Sequence, residues 1–72
     1  MEEKPVVGQR VRLNDHGKYA IGGLTSDQMI RAAADMTVTG VFDVGLSDTW
    51  DIEVDEECIN VFMISNHDID PL

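Results

Sequence analysis

The chain has 72 residues with 43% hydrophobic content, enough for one small domain resting on its own core. A single cysteine, Cys58, excludes an internal disulfide, and with His16 and His67 it falls short of the four ligands of a structural zinc site. Fourteen acidic residues against five basic ones give a formal charge of −9, which disfavours nucleic acid and anionic membrane as partners and favours basic proteins.

The charge is segregated. Residues 1–36 balance Glu2, Glu3, Asp15, Asp27 and Asp35 against Lys4, Arg10, Arg12, Lys18 and Arg31. Residues 37–72 carry Asp43, Asp48, Asp51, Glu53, Asp55, Glu56, Glu57, Asp68 and Asp70 with no Lys or Arg. The acidic N-terminal sequence lacks the apolar stretch of a secretory signal, and no run approaches the ~20 apolar residues of a membrane span. A free thiol fits a reducing compartment, so the expected location is the cytoplasm.

In chain order, residues 1–5 are expected to form a loose tail. Val6–Asn14 predicts a half-buried strand, with Val7, Val11 and Leu13 on one face and Arg10 and Arg12 on the other. Asn14-Asp15-His16-Gly17 has turn chemistry, and a connector with paired glycines, Gly22-Gly23, follows. Thr25 and Gln28 have the spacing of a capping box, and Leu24 and Met29 that of a hydrophobic staple. Together with Arg31-Ala32-Ala33-Ala34 they predict a short amphipathic helix ending near Met36.

Thr37–Val44 predicts a strand with Val38, Gly40, Phe42 and Val44 on one face, and Gly40 marks a bulge or bend. Thr49–Asp55 alternates strictly. Trp50, Ile52 and Val54 point to the core, and Asp51, Glu53 and Asp55 point away from it. A register slip of one residue would expose Trp50 beside the acids as a binding hot spot. Cys58–Ser65 is apolar on both faces and predicts a covered strand. Asn66–Leu72 predicts a single turn of 3₁₀ type and an extended end, with Ile69 and Leu72 available to the core.

The predicted architecture is mainly β with one short helix between strands one and two. Four to five short strands favour closure into a small barrel, which removes exposed edges. The run Val7-Gly8-Gln9-Arg10-Val11-Arg12-Leu13 resembles the opening strand of SH3-like small barrels. Thr37-Val38-Thr39-Gly40-Val41 and Trp50-Asp51-Ile52-Glu53-Val54 are similar to the second and third. Val61-Phe62-Met63-Ile64, followed by Asp68-Ile69-Asp70-Pro71-Leu72, looks like the last strand and terminal turn of that superfamily. The resemblance implies one SH3-like domain over residues 1–72. It also departs from the peptide-binding subset. The clustered aromatics of a Pro-rich-peptide groove are absent, leaving Tyr19, Phe42, Trp50 and Phe62. Small acidic barrels of this kind are similar to accessory proteins carried by phages and prophages.

For function, Asp51, Glu53 and Asp55, with Glu56 and Glu57 beyond, line one strand face at intervals of roughly 7 Å. They are a docking surface for a basic protein, such as a host nucleic-acid-processing factor, or an imitation of a phosphate array, or else a solvated face that confers solubility. Arg10, Arg12, Lys18 and Arg31 are the candidates for nucleic-acid contact. On the strand, Arg10 and Arg12 have the simpler role of pairing with acids such as Asp43 or Asp68. Cys58 suits a small buried hydrophobe, and His16 and His67 suit exposed or capping roles. No P-loop, dinucleotide, calcium-loop or serine-hydrolase pattern occurs. The expectation is therefore a non-enzymatic interaction module without metal or cofactor. A structural subunit of a particle and a nucleic-acid-associated module are the alternatives.

Overall fold

The computed structural model describes residues 1–22, 27 and 35–72. The chain is mainly β. Strands β1 (Arg10–Leu13), β2 (Met36–Leu46), β3 (Thr49–Val54) and β4 (Ile69–Pro71) form one unclosed antiparallel sheet in the order β3-β2-β1-β4. Two short helices, α1 (Asp15–Ala20) and α2 (Glu57–Asn60), and a 3₁₀ turn (Asn66–Asp68) complete the described elements. The capping box at Thr25 and Gln28, the Leu24–Met29 staple and Arg31 lie outside the described residues. Asp27 is helical and exposed. Met36, the expected helix end, instead opens β2 and is buried.

β1 shows the alternation its sequence demands, with Val11 and Leu13 buried between exposed Arg10 and Arg12. It begins later than Val6 because Gly8 adopts φ +94°, a left-handed conformation that ends extended chain. Gln9 N closes a turn on Val6 O at 3.0 Å, and this turn carries Val7 out to solvent. Nor do residues 1–5 hang free along their whole length. Pro5 is buried, and the Met1 ammonium donates to Asn66 O and Ile69 O at 2.6 and 2.5 Å.

The segment that looked like a turn after β1 is α1. Asn14 caps it, its Oδ1 accepting from Gly17 N at 2.9 Å. Gly17 hides this helix from a propensity reading, yet close packing requires it. A Cβ there would stand 2.2 Å from Asp68 O and 2.9 Å from Leu13 Cδ2. α1 thus lies directly on the 3₁₀ turn.

Thr39 in β2 forms a bulge. Val38 pairs with Val54, but Gly40 pairs with Glu53, so the register shifts by one residue between them. The shift reverses the facing of the rest of β2. Val41, opposite Ile52, now packs on the core, whereas Phe42, opposite Asp51, turns outward, and Val44 is also exposed. The sequence places Phe42 and Val44 on the same face as Val38 because strict alternation ignores the extra residue. β3 follows its pattern: Ile52 and Val54 are buried, and Trp50 is partly buried against the same core.

Cys58–Ser65 is not a strand. Glu57 opens α2, Phe62 N and Met63 N donate to Ile59 O and Asn60 O at 3.0 and 3.1 Å, and Met63 takes φ +52°. Ile59 and Ile64 enter the core and Cys58 packs at its edge, while Val61, Phe62 and Met63 remain exposed. The apolar residues on the second face are therefore not covered within the described chain. The 3₁₀ turn carries a reciprocal capping box, Ser65 Oγ accepting from His67 N at 3.2 Å and Asp68 Oδ2 from Ser65 N at 2.8 Å. Ile69 then reaches the core, but Leu72 is exposed.

The core joins Val11, Leu13, Ile21, Met36, Val38, Ile52, Val54, Ile59, Ile64 and Ile69. Each such aliphatic burial contributes about 1.5–3 kcal/mol, so strand, helix and turn segments all depend on the same cluster.

Candidate functional site

The outer face of β3 carries the acidic residues that the sequence singles out. Asp51 is half-buried and Glu53 exposed, on the side opposite Ile52 and Val54. The Glu53 carboxylate accepts from Thr39 Oγ1 at 3.0 Å, which anchors it beside the bulge. Asp55 is also exposed, but its Oδ1 accepts from Thr37 N at 2.9 Å while its own N donates to Thr37 O at 3.0 Å. Asp55 therefore helps close β2 on β3. Glu56 precedes α2 without a side-chain cap, and Glu57 stands in its first turn, where negative charge suits the helix dipole.

Beside Asp51 and Glu53 lies a shallow groove of about 180 Å³, lined also by Phe42, Ile52, Asn60 and Met63. Phe42 is 54% exposed, and its ring lies back over Gly40. A Cβ on Gly40 would meet Phe42 Cε2 at 2.8 Å. Met63 is 75% exposed and holds a left-handed backbone, which costs a non-glycine residue roughly 1–2 kcal/mol. The groove thus joins apolar side chains left in water to two carboxylates. The sequence reading missed Phe42, Asn60 and Met63. For Phe42 the available signal was Gly40, next to the bulged Thr39 that reverses the facing of Phe42.

Among the described residues the ion pairs are Arg10–Asp35 and the Met1 ammonium with Asp70 at 3.9 Å, and the His16 imidazole contacts the Asp68 carboxylate. The acids from Asp43 to Glu57 have no cationic partner within that set. Asp43 accepts from Gly45 N at 2.7 Å, and Asp68 is held by Ser65 and by His16 Nδ1 at 2.5 Å. Neither pairs with Arg10, contrary to the expectation. Arg10 instead binds Asp35 and donates to Thr37 Oγ1 at 2.9 Å, because its strand neighbour across β1 and β2 is Thr37.

The basic candidates are only partly assembled. Arg12 and Lys18 line one open depression of about 630 Å³ with His16, but Asp15 and Asp70 line it too. Arg10 is engaged by Asp35, and Arg31 lies outside the described residues. Among the described residues one hydroxyl–imidazole contact occurs. Thr49 Oγ1 lies 3.1 Å from His67 Nε2 and 3.2 Å from Asp48 Oδ1. A nucleophile–base pair needs this proximity, but also a third group to orient the imidazole. Asp48 contacts the hydroxyl, so the three do not form that relay.

Comparison with protein-family models, curated proteins and solved structures finds no match to this chain. Among the described residues no group of three or more His, Cys, Asp or Glu is arranged to hold a metal ion. Within the same residues no helix is long and apolar enough to cross a membrane.

Proposed function

We propose that this chain is a non-enzymatic protein-interaction module whose acidic second half docks on a basic protein surface. The observation that carries the reading is the pairing of Asp51 and Glu53, without cationic partners among the described residues, with exposed Phe42 and Met63 in one groove. Exposed apolar side chains rimmed by charge are the usual composition of a docking surface. The proposed role is that of a phage-type modulator or inhibitor of a host nucleic-acid-processing factor, acting in the cytoplasm. Proteins that bind nucleic acid carry the basic surfaces such a module would recognise.

The proposed fold is an SH3-like small barrel. Support comes from the path of residues 64–71, which runs from one edge of the sheet to the other. Ile52 N donates to Ile64 O at 2.9 Å and Asp51 bridges Ser65 at the β3 edge. After the 3₁₀ turn, β4 pairs with β1.

Capture from a native host lysate, with wild type and an Asp51→Asn/Glu53→Gln variant side by side, tests the reading. A basic protein retained by wild type and lost from the variant supports it. Equal retention by both overturns it. A gel shift at low salt tests the alternative in which Arg12 and Lys18 contact nucleic acid; binding that falls steeply with salt would favour that alternative.

A further inference from the structure

A groove lined by Phe42, Asp51, Glu53, Asn60 and Met63 lies between the outer face of β3 and the Asn60–Met63 turn. The β3 edge beside it is closed to strand addition. The outward N–H groups of Trp50, Ile52 and Val54 donate to Asn66 Oδ1, Ile64 O and Asn60 Oδ1 at 2.9, 2.9 and 2.8 Å. The Val54 carbonyl accepts from Asn60 Nδ2 at 2.8 Å. A partner cannot be recognised there through its backbone, as in β-augmentation. Recognition falls to side chains.

Those side chains are an aromatic face with carboxylates beside it. Phe42 pairs across the strands with Asp51, and its ring covers Gly40, whose own cross-strand partner is Glu53. A cation in this groove would have an aromatic ring and two carboxylates among its lining. Arginine fits better than lysine. Its planar guanidinium stacks on an aromatic ring, donates through several N–H groups to carboxylates, and holds its water less tightly than an ammonium. Its aliphatic stem would lie along Met63, which is already exposed.

We infer that the groove binds an arginine side chain projecting from a loop or helix of the basic partner, read by Phe42, Asp51 and Glu53. This rests on the docking function proposed above and deepens it. It narrows a diffuse acidic surface to one anchor and assigns recognition to side chains rather than to an added strand.

The probe is a capped Leu-Arg-Leu peptide titrated into the ¹⁵N-labelled full chain, with Leu-Lys-Leu and Leu-citrulline-Leu as controls. Amide shifts should centre on Phe42, Asp51, Glu53 and Met63. Binding should be at least about threefold weaker for the lysine peptide and about tenfold weaker for the citrulline peptide. Phe42→Ala should reduce arginine-peptide affinity about tenfold with the rest of the spectrum unchanged. Gly40→Ala, which displaces the ring without altering a charge, should act in the same direction.

Shifts spread over Glu56 and Glu57 and unaltered by Phe42→Ala would overturn the arginine anchor while leaving electrostatic docking intact. Equal binding of the arginine and citrulline peptides, or no shifts at the groove, would also overturn it. Loss of lysate capture by wild type would instead remove the docking function itself.

Discussion

The side-chain amide of Asn60 accepts from Val54 N and donates to Val54 O, both at 2.8 Å, pairing with one residue of β3 as a neighbouring strand would. A sheet edge is an invitation to aggregate unless it is covered. Here a single side chain, six residues further along the chain, provides part of the cover. Asn60→Ala leaves two backbone groups at this edge to find new partners, and each unsatisfied buried group costs about 1–3 kcal/mol. The variant should unfold at lower denaturant, and Val54 should lose hydrogen-exchange protection selectively. Unchanged protection at Val54 would contradict the clasp.

Asn66 performs the corresponding task at the other end of β3, fully buried. Its Oδ1 accepts from Trp50 N at 2.9 Å, and its Nδ2 donates to Met1 O and Asp48 O at 2.9 and 3.1 Å. One amide ties together the N-terminus, the β2–β3 hairpin and the 3₁₀ turn. Asn66→Ala should therefore cost at least about 2 kcal/mol in urea denaturation, more than its volume change alone explains. A loss below about 0.5 kcal/mol would show that water replaces the amide without penalty.

Gly17→Ala should reverse the usual sign of its substitution. In an exposed helix interior alanine is favoured by about 1 kcal/mol over glycine. At this position the new Cβ would press on Asp68 O, a backbone atom 2.2 Å away that has no rotamer in which to yield. A lowered melting temperature is expected, with the damage centred on the contact between α1 and the 3₁₀ turn. A neutral or stabilising outcome would mean that α1 moves away at little cost.

At Met63 the comparison is between two variants. Glycine accepts φ +52° without the steric cost, whereas alanine retains it. Met63→Gly should thus be about 1 kcal/mol more stable than Met63→Ala in chemical denaturation. Both should weaken partner binding, because each removes an exposed apolar side chain from the groove. Equal stability of the two would place the strain elsewhere.

The strands with one wet face were the legible ones. Arg10 to Leu13 and Thr49 to Val54 alternate because water and core lie on opposite sides, and the pattern survives in the structure. Gly40 announced the bulge but not its consequence. Which face Phe42 takes depends on whether one residue is inserted before it, and alternation alone does not carry that count. The Cys58–Ser65 segment misled because apolar residues were assumed to be covered. Val61, Phe62 and Met63 are exposed instead, and the informative residue was Asn60, whose amide serves a strand that precedes it. α1 was hidden by Gly17, present for a contact with Asp68, more than fifty positions away, that no local propensity encodes. For the candidate site, the acids were visible as a pattern and the groove was not, because the groove exists only once β2 has bulged and the chain has turned at Met63.

The central claim is that Asp51, Glu53 and the adjoining apolar groove dock a basic partner. Its most direct test is the affinity of the purified chain for the partner recovered from host lysate, measured by calorimetry at low and high salt. The comparison is between wild type and Asp51→Asn/Glu53→Gln. The variant should bind about tenfold or more weakly at low salt and show a flatter dependence on ionic strength. Equal affinity and equal salt dependence in the two proteins would contradict it.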